Sequence, residues 1–127
     1  MLKDIVIPFL EHTGAKLKHI EEGKAEVGLY TEPFHFQHLG FIHGGVIATL
    51  LDNTGWYAAV SNVEKGYTAV TMEMKINYLK PAKGKYLEAI ATVKSQGRTT
   101  SFVTIDMKCD GKLVAFATAT YSILEEP

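Results

Sequence analysis

Two features of this chain could do chemistry. The first is Asp52. Between His43 and Val63 there is no Lys or Arg, and Asp52 is the only carboxylate. On a helix turning about 100° per residue, Val46, Ile47, Leu50, Leu51, Thr54 and Ala58 share one side, while Gly45, Ala48, Asp52, Gly55 and Ala59 share the other. A stripe of Gly and Ala lets another backbone or a flat ligand come close. A carboxylate in its middle is either reactive or a buried structural acid bonded to a backbone amide. The second feature is His43–Gly44–Gly45, just before the apolar period begins. A helix start has unpaired N–H donors and partial positive charge, so it can hold an anion or a developing oxyanion. The glycines read equally as a tight entry turn. Gly44 and Asp52 are eight residues apart, about 12 Å along a helix axis, which no Asp side chain bridges. Two antiparallel helices across a two-fold axis would bring Asp52 of one chain to Gly44 of the other.

The elements that must hold these residues are legible as periodicities. Leu2 to about His12 reads as a short helix, followed by a strand near Ala15 to Ile20 and a turn at Glu21–Gly23. Lys24 to Tyr30 alternates, with Ala25, Val27 and Leu29 on the buried face. Thr31 to Ile42, with Pro33 and Gly40, reads as a loop. His43 to Val63 is a buried helix; Asn53, Ser61, Asn62 and three glycines argue against a membrane span. Four alternating runs follow: Tyr67–Leu79, Tyr86–Lys94, Ser101–Cys109 and Leu113–Ile123. In the first, Val70, Met72, Met74, Ile76 and Tyr78 oppose Thr71, Glu73, Lys75 and Asn77. Asp110–Gly111 is a favoured two-residue hairpin connection. The expectation is an α+β domain spanning residues 1–127, an antiparallel sheet around one long helix.

Composition narrows the function class. The chain has 127 residues, 46% apolar and 21% charged, with a net charge of −1. That balance suits one globular domain and gives no electrostatic case for nucleic acid or a membrane surface as partner. A single cysteine, Cys109, and an N-terminus unlike a secretory signal fit the cytoplasm. Five scattered histidines show no metal-ligand spacing, so no metal and no cofactor are expected. His12, His19, His35 and His38 read as surface or loop residues.

The segments HGGVIATLLDNTGWYAA, TMEMKINYLKPAKG and SQGRTTSF resemble the hotdog-fold acyl-CoA thioesterases, most nearly the PaaI-type and acyl-CoA thioesterase 13 relatives. The similarity runs from about Phe36 to Tyr121. It rests on the combination of His-Gly-Gly, the Asp eight residues after the first Gly, Tyr78-x-x-Pro81-Ala82 and Gly97-Arg98-Thr99. It implies a long helix wrapped by a five- or six-stranded antiparallel sheet. It also implies a homodimer with a continuous sheet, often paired into a homotetramer, with two active sites at the interface. By position, Asp52 matches the family's nucleophile or general base and Gly44 the N–H that polarises the thioester carbonyl. His43 matches the histidine beside it, and Thr71 a Ser or Thr near the acid. Gln37 stands where relatives often have Asn and is one methylene longer.

The implied reaction is hydrolysis of an acyl-CoA or aryl-CoA to free acid and CoA, coenzyme A entering only as part of the substrate. An acyl pocket would draw on Trp56, Tyr57, Phe34, Phe36 and Leu51, each of which could equally be plain core. Arg98, Lys80 and Lys83 match the family's CoA-binding edge, Arg98 first because a guanidinium pairs a phosphate at two points. The competing reading is a non-catalytic acyl-CoA sensor on the same fold. Phenylacetyl, hydroxylated aryl, medium-chain and long-chain groups are all compatible with the sequence.

Overall fold

The computed structural model describes residues 2–127. A 3-10 turn, Leu2–Asp4, leads through an extended stretch to α1, Pro8–Thr13. The expected single helix is thus divided. Pro8 can open a helix but not continue one, and it holds Ile7 extended at φ −105°, ψ 101°. Gly14 then ends α1 in the left-handed region at φ 90°.

β1 (Lys16–Glu21) and β2 (Lys24–Tyr30) form a hairpin. The long helix α2 (Gly44–Val60) follows, then β3 (Tyr67–Tyr78), β4 (Tyr86–Gln96), β5 (Thr100–Cys109) and β6 (Lys112–Glu125). All pairings are antiparallel, in one six-stranded sheet ordered β1-β2-β4-β5-β6-β3. The β5–β6 turn forms as expected: Cys109 pairs with Lys112, leaving Asp110 at φ 49° and Gly111 at φ 84° between them. Two successive positive φ values match the twist of the flanking strands.

The core lies between α2 and the concave face of the sheet. Val103, Ile105 and Met107 form a ridge along central strand β5, each flanked on β6 by an alanine (Ala119, Ala117, Ala115); Ile105 and Met107 also pair with Ala91 and Ala89 on β4. These small flanking side chains let the sheet approach α2 closely, and Ile47, Leu50, Leu51, Thr54 and Ala58 are buried against it. The helix is enclosed more fully than its wheel implies. Gly55 and Ala59, expected on an open stripe with Asp52, are buried, because the curled sheet reaches both flanks of the helix's second half. Gly45, Ala48 and Asp52 keep exposure, so the open side runs only along the first half.

β3 also departs from simple alternation. Its pairing with β6 shifts between Thr71 and Glu73, a bulge at Met72. Ahead of the bulge Ala69 is buried and Thr71 meets α2; after it Met74 and Ile76 pack inward instead. Val70 and Met72, expected on the same face as Met74 and Ile76, are exposed at 52% and 62%.

Candidate active site

Asp52 sits half-exposed in the middle of α2. Its carboxylate oxygen Oδ1 accepts a hydrogen bond from the Thr71 hydroxyl at 2.7 Å. The phenol of Tyr121, on β6, donates at 2.8 Å to the Asp52 backbone carbonyl and lies 3.3 Å from the same Oδ1. Asp52 and Thr71 share a crevice of about 360 Å³ with Ile5, Ile7, Asn53 and Trp56. The Trp56 indole N–H is committed to the Ala69 carbonyl at 2.7 Å, so its ring gives the crevice an apolar wall. Burial, then the neighbouring Asp52 charge, pushes the Tyr121 phenol far above its ordinary pKa, so it remains a donor.

At the other end of the helix, His43 is the N-cap. Its Nδ1 accepts from the Gly45 N–H at 2.8 Å, which places the ring proton of the neutral imidazole on Nε2. The Gly44 N–H has no acceptor among the described residues. The Tyr78 phenol donates to the Gly44 carbonyl at 3.1 Å, and its ring lies over the glycine. Within one chain, then, the carboxylate and the free amide stand apart on α2, about 12 Å by helix rise.

The structure brings Thr71 and Trp56 to Asp52, and His43 to Gly44. The Gln37 side chain turns into its own loop, Oε1 accepting from the Leu39 N–H. Phe36 is partly buried against the core and bridges Ile42. Tyr57 and Leu51 are core residues, while Phe34 is exposed and packs at a tilt against the His35 ring. Lys80 and Lys83 are exposed beside Ala82, whose carbonyl receives the Ile42 N–H near the start of α2. Arg98 lies at the opposite end, in a groove of about 520 Å³ that also touches Asn62, Tyr67, Gln96 and Leu124. This groove is roomier than the crevice beside the carboxylate.

His35, expected at the surface or in a loop, lies in the loop before α2 but not at the surface. It is buried: Nδ1 accepts from the Glu32 N–H at 2.9 Å, and Nε2 lies 2.7 Å from the Thr13 carbonyl. It pins the loop before α2 to the end of α1. Tyr121 and the tight fit at Gly55 escaped the sequence reading, since only strand register reveals what stands beneath Asp52. Among the described residues no cluster has the makings of a metal site, and no helix is long and apolar enough to cross a membrane.

The thioesterase superfamily profile matches residues 39–116, which contain the helix, Asp52 and Thr71. The chain belongs to the thioesterase superfamily. It is 38% identical over 96 residues to acyl-coenzyme A thioesterase 13 of Homo sapiens, covering 73% of this chain and 68% of that one. Among solved structures, a Bacillus halodurans protein crystallised with CoA superposes with TM-score 0.88 at 32% identity, over 96% of this chain and 82% of the other. A mutant of the phenylacetic acid degradation protein PaaI from Thermus thermophilus superposes with TM-score 0.84 at 29% identity, over 91% of this chain and 98% of that one. The sheet wrapped on one helix is the hotdog fold of this superfamily, and the PaaI likeness places the chain near that subgroup.

Proposed function

We propose that the protein hydrolyses acyl-CoA thioesters, with Asp52 as the reacting carboxylate and Gly44 of a second copy as the oxyanion donor. The observation that carries this reading is the pair of groups on α2: a carboxylate oriented by Thr71 in an apolar-walled crevice, and a helix-start N–H without an acceptor among the described residues. The acyl-CoA thioesterase named among its relatives and the CoA in a similar structure supply the substrate class. With the thioester carbonyl at Gly44, its developing oxyanion meets a prealigned donor and the positive end of the helix. Asp52 then either draws a proton from water or attacks the carbonyl carbon, and CoA leaves as the thiol. Gln37, its Oε1 engaged, would present its amide N–H₂ to the thioester or the water.

The second copy would pair through β3. That edge exposes Val70 and Met72, whereas the other edge, β1, is dotted with Lys16, Lys18 and Glu21, the kind of charge that discourages strand addition. Pairing β3 to β3 across a two-fold makes one continuous sheet, and two such dimers could stack as a tetramer. Trp56 and Phe36 would line the acyl side, while Arg98, Lys80 and Lys83 would attract the phosphates of CoA.

The test is release of free thiol from a panel of acyl- and aryl-CoA substrates by wild type and Asp52→Ala. The variant should fold normally and lose at least about a hundredfold in turnover. Wild-type turnover by a folded Asp52→Ala protein would overturn the assignment.

A further inference from the structure

Tyr121 is a fully buried phenol on the concave face of β6. Its cross-strand partner on β3 is Thr71, one residue ahead of the bulge. The register therefore sets two hydroxyls side by side under α2, and both lie within 3.3 Å of one oxygen of Asp52, Oδ1. No donor among the described residues reaches the other oxygen, Oδ2.

A second observation concerns the helix above. Gly55 stands one turn after Asp52, and a Cβ there would fall 2.2 Å from the Tyr121 phenol oxygen and 3.0 Å from its ring carbon. Glycine in mid-helix is unfavourable. Here it opens the space that the phenol oxygen occupies.

We propose that Tyr121 is a positioning residue for Asp52: admitted by Gly55, its O–H works with Thr71 to hold Oδ1, so that Oδ2 is the oxygen presented to the substrate. The inference rests on the reading of Asp52 as the reacting acid. It is indifferent to whether Asp52 attacks or deprotonates water, since either role needs one oxygen aimed and free. Tyr121 lies beneath the helix, out of the crevice, and does not touch substrate. Its one proton is shared between the Asp52 carbonyl and Oδ1, which ties the carboxylate to the backbone that carries it.

The experiment uses the full chain and one CoA ester that the wild type turns over, chosen from the panel above. Tyr121→Phe keeps the ring and removes only the oxygen. Its kcat should fall about tenfold, the scale of one lost hydrogen bond to a charged group, with KM within about twofold. The loss should disappear in the Asp52→Ala background, where no carboxylate remains to be aimed. Gly55→Ala, which displaces the phenol without removing it, should lower kcat in the same way and do so much less when combined with Tyr121→Phe. An unchanged kcat in Tyr121→Phe, or an equal proportional loss with and without Asp52, would reduce Tyr121 to a packing residue. If Asp52→Ala itself keeps full activity, the Asp52 assignment falls first; if Asp52→Ala is inactive and Tyr121→Phe is normal, only the positioning role falls.

Discussion

Proline at position 44 would remove one backbone N–H and little else. Gly44 is the first residue of α2, where proline's fixed φ suits the helix and the lost N–H has no helical partner. His43 before it sits at φ −61°, ψ 135°, within the extended region a residue preceding proline adopts. A Cβ at Gly44 would come no nearer than 3.6 Å to the Tyr78 ring, ordinary van der Waals contact. The fold should hold, with a loss near 1 kcal/mol or less and hence a midpoint shift of about 4 °C at most. Turnover of acyl-CoA should fall by about 10²–10³-fold, the range for one deleted oxyanion donor. The decisive assay mixes Gly44→Pro with Asp52→Ala chains and lets subunits exchange. Half the dimers become mixed, and each mixed dimer has one site with both groups intact. Activity should return to about a quarter of wild type per chain on this isologous geometry. Near wild-type turnover in folded Gly44→Pro would remove its N–H from the mechanism. Exchange shown by mass spectrometry without return of activity would refute a site shared between chains.

Arg98→Ala should raise KM for CoA esters more than it lowers kcat, while truncated pantetheine thioesters, which lack the nucleotide, respond little; an equal penalty on both substrate types would remove Arg98 from CoA binding. His35→Ala should cost about 2–4 kcal/mol of stability by denaturant unfolding, since it empties buried volume and strands the Thr13 carbonyl and the Glu32 N–H. A loss under about half a kcal/mol, the scale of a surface substitution, would mean the loop before α2 is held by other contacts.

Much of the fold was legible because local rules and the global arrangement agree. Ala25, Val27 and Leu29 alternate as a half-buried strand must, and Asp110–Gly111 is a pair that tolerates two positive φ values. Asp52 and the glycines at the start of α2 stood out because nothing else on that helix is charged. The bulge at Met72 was not legible. Thr71–Met72–Glu73–Met74 alternates polar and apolar without a break, and a single extra residue in a strand leaves no mark in such a pattern. The stripe of small residues was half right. Helical angle says which residues share a side, but only the curl of the sheet decides how far along that side water reaches. Tyr121 is the clearest case: it lies 69 positions from Asp52 in sequence, and only strand register brings its hydroxyl beneath the carboxylate.

The enclosure of α2 also governs how the chain must come together. On synthesis the helix is complete before β3, β4, β5 or β6 exists. Alone it has little to sustain it: no i,i+4 charge pairs, glycines at 45 and 55, and a nucleus that a short helix forms at a loss. Its partner surface closes last, because β6, the final strand, joins β5 to the edge strand β3. The β3–β6 pairing links distant parts of the chain, Tyr67 with Glu125 at one end, so the loop entropy is spent before the contacts repay it. Until then the apolar helix is only partly covered, and self-association competes with closure. A chain cut before β6 would leave Ile47, Leu50 and Leu51 without part of their sheet and should aggregate instead of working at a reduced rate.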